Sequence, residues 1–170
     1  MDKKFSSQED SEIHLLLETL GSEHGMERQK AREALVAKGK STIDFLMELL
    51  SHPKYIFRWE AAKTLEEIGD PLAIPLFIRT LEDEKSDVRW IAAKGLIKLG
   101  ELSVKPLLQA LIEKSDSVFI LEGAHHVFFD LHEDNKLPDD FPIDKFLAAF
   151  KNPSFPENIK SLAYEILNSK

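Results

Sequence analysis

The chain has no cysteine. That excludes a disulfide framework, a thiolate nucleophile and a thiolate metal site, and it suits a reducing compartment. No stretch comes near the roughly 20 apolar residues that a membrane-spanning helix needs. Met1-Asp2-Lys3-Lys4-Phe5 leads into Ser, Gln and acidic residues without an apolar signal core. These gaps predict a cytoplasmic protein. Basic residues are in deficit, with 22 Lys and Arg against 30 Asp and Glu and a formal net charge of −8. This balance disfavours nucleic acid or an anionic membrane as the main partner, because binding there depends on neutralising phosphate. There is no glycine-rich phosphate loop and no convincing Ser/His/Asp set.

What the chain does have is a repeated helical unit. Hydrophobic residues at 43% and charged residues at 31% fit a soluble folded chain. Residues 70 to 100 hold the clearest copy. Asp70 is placed to cap a first helix, with Pro71 at its first position, where a missing N–H costs nothing. Leu72, Pro75, Leu76, Ile78 and Leu81 recur at helical spacing and predict its apolar face. Glu82 to Lys85 make a polar turn, and Ser86 or Asp87 caps the second helix. Val88, Ala92, Leu96 and Leu99 share one face of that helix. Gly100 ends it as a residue that takes positive φ.

The same landmarks recur on either side. Gly39, Gly69 and Gly100 stand 30 and 31 residues apart. Arg58-Trp59-Glu60-Ala61-Ala62 returns as Arg89-Trp90-Ile91-Ala92-Ala93, and Pro75 as Pro106, both after 31 residues. A lone pair of amphipathic helices cannot bury its apolar faces, so such units stack. Ile68-Gly69-Asp70-Pro71, Ala73-Ile74-Pro75-Leu76 and Asp87-Val88-Arg89 carry a resemblance to the HEAT repeat superfamily. The likeness is to its short variant, the phycobilin-lyase-type HEAT-like repeat. It is clear over 41 to 113, fair over 12 to 40 and weak after 114.

The resemblance implies an all-α, right-handed α–α superhelix of about five helical pairs. The expected organisation is a single repeat domain over 1–170, with units at about 9–40, 41–69, 70–100, 101–132 and 141–170 and an acidic loop at 133–140. Ile13, Leu16, Leu17 and Leu20 face inward in the first unit, followed by Ala31, Ala34 and Leu35. Ile43, Leu46, Met47 and Leu50 do so in the second, after Ser41 or Thr42 as cap. Ser103 caps the fourth unit. The segment from Asp116 to His132 is apolar on nearly all sides, which predicts burial on nearly all sides. Ser154-Phe155-Pro156-Glu157 reads as a capping box opening the last helix.

Candidate functional residues follow from helical geometry. With Val88 at the centre of the buried face and about 100° per residue, Trp90 falls roughly 200° away from the hydrophobic seam. Trp59 holds the same place one unit earlier. In repeats of this kind the second helices line the concave side, so the resemblance implies two stacked tryptophans there. Lys63, Lys94 and Ile97 fall on or beside the same strip, and Leu121 or Phe128 would extend it. Exposed aromatics in a row serve as interface anchors. The competing reading folds each tryptophan over its neighbour to cover the seam between units.

Arg28, Arg58 and Arg89 form a second ladder, which could hold a carboxylate or phosphate but is read as ties between adjacent units, with Asp87 near Arg89. His125, His126 and His132 lie among Glu122, Asp130 and Glu133, but His125 and His126 point about 100° apart on a helix and no convergent ligand set can be assembled. Deoxyhypusine hydroxylase resembles the chain in fold and binds iron through His-Glu dipeptides at the start of second helices. The matching positions here are Gln29-Lys30, Trp59-Glu60, Trp90-Ile91 and Leu121-Glu122, and every His is missing. The expectation is a non-catalytic scaffold without cofactor or metal, binding a protein or peptide on its concave face. The alternative is an enzyme or enzyme-accessory subunit. Self-association through 118 to 131 is a further possibility.

Overall fold

The computed structural model describes residues 8–151 and 155–169, and every regular element among them is helical. The chain divides into two compact units, Met1–Asp70 and Pro71–Lys170. The first contains α1 (Gln8–Thr19), α2 (Gly25–Lys38), α3 (Ile43–Leu49) and α4 (Tyr55–Ile68). The second contains α5 (Ile74–Thr80), α6 (Ser86–Leu99), α7 (Val104–Glu113), α8 (Val118–Glu133), α9 (Ile143–Ala149) and α10 (Phe155–Asn168). Ser154, and with it the proposed capping box, lies outside the described residues.

In the first unit α1 pairs with α2, α3 pairs with α4, and α2 packs along α4. Ile13, Leu17, Leu20, Ala31, Leu35, Leu46, Ala61 and Leu65 fill the space between them. Each large aliphatic group buried this way contributes about 1.5–3 kcal/mol relative to exposure. Met47, expected inside, is exposed on the outer side of α3.

In the second unit α5 pairs with α6 and α7 with α8, while α6 lies against α8 and α5 against α7. The buried face of α5 is Ile74, Leu76, Phe77 and Thr80, continuing into Leu81. The expected face shares Leu76 and Leu81 with this one and differs at Leu72, Pro75 and Ile78. Leu72 and Pro75 are exposed, because Pro71–Ala73 forms a 3-10 turn and the α-helix proper begins at Ile74. Tighter 3-10 winding shifts the phase of the side chains that precede the helix. Phe77 is then fully buried over Gly95, where an added Cβ would stand 2.4 Å from the ring.

Gly39, Gly69 and Gly100 close α2, α4 and α6 with φ of 62°, 67° and 63°, as the spacing predicts. L side chains rarely adopt this backbone region. At the end of α8 the same turn is made by Asn135 at φ 55°, and Lys136 N–H donates to the Leu131 carbonyl at 2.8 Å. That is the long hydrogen bond of a Schellman cap, with asparagine in the role of glycine.

The side-chain caps expected for three helices are replaced by other groups. Thr42 and Ser103 turn their hydroxyls to the carbonyls of Gly39 and Gly100, and α6 starts from Lys85 with Ser86 and Asp87 already inside it. Ser117 does cap α8, accepting from Ile120 N–H at 3.3 Å.

The last pair inverts the order of the others. Here α9 packs on the second helix α8, and α10 packs on the first helix α7. The segment 134–142 delivers Phe141 into an aromatic cluster with Phe128, Phe146 and Phe150. Ring centroids of Phe128 and Phe146 are 4.5 Å apart. Burying these rings draws α9 onto α8 and leaves α10 to cover α7 with Ile159, Leu162 and Ala163.

Candidate functional site

The second helices α6 and α8 lie side by side and share an outer face. Trp90 stands on it, 54% exposed, as the helical phase predicts. Its ring stacks on His126 with centroids 4.7 Å apart and planes 20° from parallel. His126 Nδ1 lies 3.7 Å from Asp130 Oδ1 one turn on. Its Nε2 is buried without a hydrogen-bond partner among the described residues.

Two turns before His126 on α8, the Arg89 guanidinium carbon sits 4.1 Å from the centre of the Phe119 ring, a cation–π contact. Val118, Phe119 and Phe129 are 58%, 39% and 44% exposed. The all-round apolar character of α8 thus does not mean all-round burial. One side meets the core through Ile120, Leu121, Ala124, Val127, Phe128 and Leu131, and the other is open. Leu121 and Phe128, expected to extend the tryptophan strip, belong to the core side.

Lys94 is exposed on the same face of α6 and Ile97 is half-buried beside it. Beyond α8, Val118, Glu122 and His125 join Phe150 and Lys151 around an open cleft of about 500 Å³. His125 meets the Phe150 ring edge-on at 5.0 Å. Partial burial, then the neighbouring His126 and Lys151, push the His125 imidazole below the ordinary histidine value.

In the first unit, Trp59 is half-buried and Lys63 Nζ donates to Glu66 Oε2 at 2.6 Å. Glu60 follows Trp59 and points inward, 2% exposed. It accepts from Arg28 Nε at 3.0 Å and from Arg32 NH1 at 2.6 Å, tying α2 to α4. Burial opposes the Arg32 charge, but hydrogen bonding and Coulomb attraction from Glu60, then Glu67, prevail and raise its pKa.

The arginine ladder repeats one geometry three times. NH1 of Arg28, Arg58 and Arg89 donates to the carbonyls of Ser22, His52 and Asp83, at 2.8, 3.0 and 2.8 Å. Each guanidinium clamps the turn that precedes its own helix. Glu60 occupies one of the positions where a hydroxylase-type His-Glu pair would stand, and two guanidinium groups engage it. Among the described residues, no three His, Asp or Glu side chains converge on a point able to hold a metal ion. The periodicity of α8 predicts burial on nearly all sides, whereas Val118, Phe119 and Phe129 are exposed on this face. The signal for this open side lay in their spacings, which no single core-facing stripe accommodates.

Paired helices in which second helix packs on second helix, closed by left-handed glycines at a 30–31-residue period, define an α-helical repeat protein. The chain belongs to the HEAT repeat family, whose pattern matches residues 13–79 and 43–124. It is similar to a chain of the complex of CpcE and CpcF of phycocyanin lyase from Nostoc sp. PCC7120, at 25% identity and a TM-score of 0.61. That likeness covers 91% of this chain and 98% of the other. A designed armadillo repeat protein in complex with the peptide (KR)4 aligns over 92% of each chain at 17% identity and a TM-score of 0.38. No curated protein sequence matches the chain. No helix among the described residues is long and apolar enough to cross a membrane.

Proposed function

We propose that this chain is a non-catalytic helical-repeat scaffold that binds another protein or peptide on the faces of its second helices, in the cytoplasm. The five helical pairs work as one repeat domain over 1–170. Trp90 anchors the contact, with Trp59, Lys63, Lys94 and Ile97 along the second helices of the two units and Phe119 and Phe129 on α8. The observation that carries this reading is the exposure of Trp90, Val118, Phe119 and Phe129 on one face of the second unit. Singly exposed apolar groups are ordinary, but a cluster containing tryptophan and an arginine-backed aromatic has the composition of an interface hot spot. The CpcE–CpcF complex supports a protein partner, since a chain of similar fold there assembles with a second protein.

The test is affinity capture from native lysate with the wild type beside a Trp59→Ala/Trp90→Ala variant whose folding is checked by circular dichroism. A specific partner should be retained by the wild type and lost by the variant. With the partner purified, Trp90→Ala should weaken binding by about 2 kcal/mol or more. Equal retention by both proteins would move the site off these residues. A second reading, a subunit of a lyase-like enzyme assembly, is favoured by the same relative. It predicts that the captured partner supplies or completes an enzymatic activity that neither chain has alone.

A further inference from the structure

The inverted last pair leaves a cavity of about 970 Å³ in the second unit, away from the α6–α8 face. One wall is the start of α7, a second is the end of α10, and the turn at 100–103 and the loop 138–142 complete it. The cause lies in how α10 meets α7. Ile159, Leu162 and Ala163 bury fully against the stack, but Ile166 and Leu167, in the last turns, stay half-exposed over the gap. Leu102 projects at the mouth, 60% exposed, although it belongs to a short turn with no helix face to cover. Val104, Leu108 and Phe141 make the buried floor. A volume of this size is in the range of small-molecule sites, which combine an apolar lining with a few polar groups that set orientation.

Those polar groups are present. Glu101, Lys105 and Asp140 line the same cavity. All three are exposed, and none of their side chains makes a hydrogen bond or ion pair among the described residues. The next cation along the loop, Lys136, is already engaged by Asp134 at 2.7 Å. Among the described residues, two free carboxylates against one free ammonium leave the mouth net negative over an apolar floor.

We propose that this cavity binds an amphiphilic small molecule with an aliphatic or aromatic body and a protonated amine, the amine held by Glu101 and Asp140. The apolar body lies against Leu102, Leu108, Ile166 and Leu167, and the ammonium stays at the rim, where water completes its hydration.

The experiment uses the full chain and three probes of equal length, n-octylamine, n-octanol and n-octanoate, each kept below its aggregation limit. Binding is read by amide chemical-shift titration at neutral pH. Octylamine should bind tightest, should shift amides around 100–108, 138–142 and 162–169, and should exceed octanoate by about tenfold or more, the worth of a charge-assisted hydrogen bond. The Glu101→Gln/Asp140→Asn variant, two exposed substitutions, should reduce octylamine binding about tenfold while leaving octanol unchanged. Leu102→Ala should weaken all three probes alike. Octanoate binding as tightly as octylamine, no loss in the double variant, or shifts centred on α6 and α8 would each overturn the proposal.

Discussion

Glu60 sits 2% exposed between two guanidinium groups, and this arrangement decides what its loss costs. Neutralising it leaves Arg28 and Arg32 charged, partly buried and without their shared counter-ion. Breaking one side of a buried ion pair costs about 3–5 kcal/mol, whereas exposed pairs such as Lys145–Glu165 contribute about 0–1. Glu60→Gln should therefore lower stability in urea by about 3 kcal/mol, and Glu165→Gln should leave the urea midpoint nearly unchanged. His125 carries a different consequence. Its folded pKa lies below the ordinary value of 6.5, so the folded chain takes up the proton less readily than the unfolded one. The stability it contributes is fully present above that ordinary value and is lost as pH falls through the lowered one. Wild type should lose more stability than His125→Gln between about pH 7 and about pH 5, as followed by urea midpoints. Equal losses would show that His125 does not carry this linkage.

At the scale of the element, the helices were legible and their rotation was less so. Amphipathic spacing identifies second helices reliably because they run 14 residues or more, enough turns for the phase to be unambiguous. First helices such as α3 and α5 have 7 residues each, preceded by 3-10 turns. A two-turn helix leaves its phase open, and the change of winding at Pro71–Ala73 accounts for the displaced face of α5. The turns were read from glycine, and Asn135 was missed because nothing in a polar run such as Glu133 to Lys136 marks one residue as left-handed. Trp90 was placed correctly on the open side of its helix, but its ring partner, His126, comes from a neighbouring helix at a spacing outside the repeat period. The cavity between 99–108, 138–142 and 166–169 is not legible in the sequence for a similar reason, since it depends on α10 choosing α7 over α8.

Packing at Gly95 gives the direct test of this element-level account. Alanine in a helix interior is favoured over glycine by about 1 kcal/mol. Here the new Cβ would meet Phe77 at 2.4 Å, and overpacking costs about 1–3 kcal/mol. Gly95→Ala should thus be destabilising on balance. Phe77→Leu/Gly95→Ala should be less destabilised than the two single changes added together. A stabilised Gly95→Ala variant would contradict the close packing of α5 on α6.

At the scale of the molecule, each compact unit carries one tryptophan, Trp59 in the first and Trp90 in the second. Repeat proteins gain stability from neighbour contacts, so a single repeat domain should unfold as one unit. Trp90→Phe reports on the first unit through Trp59, and Trp59→Phe reports on the second through Trp90. Fluorescence transitions in urea should have the same midpoint once each variant is referred to its own circular-dichroism transition. Separate transitions would mean two independent domains divided near Asp70.

On the proposed function, the open face of α6 and α8 meets another protein. A photo-crosslinking amino acid at position 94, introduced in cells at native expression level, tests it most directly, with the same group at the exposed Gln109 of α7 as the comparison. A discrete crosslinked protein is expected at position 94, disappearing when Trp90→Ala is added and missing at position 109. Crosslinking at 109 with none at 94, or the same product regardless of Trp90, would contradict it.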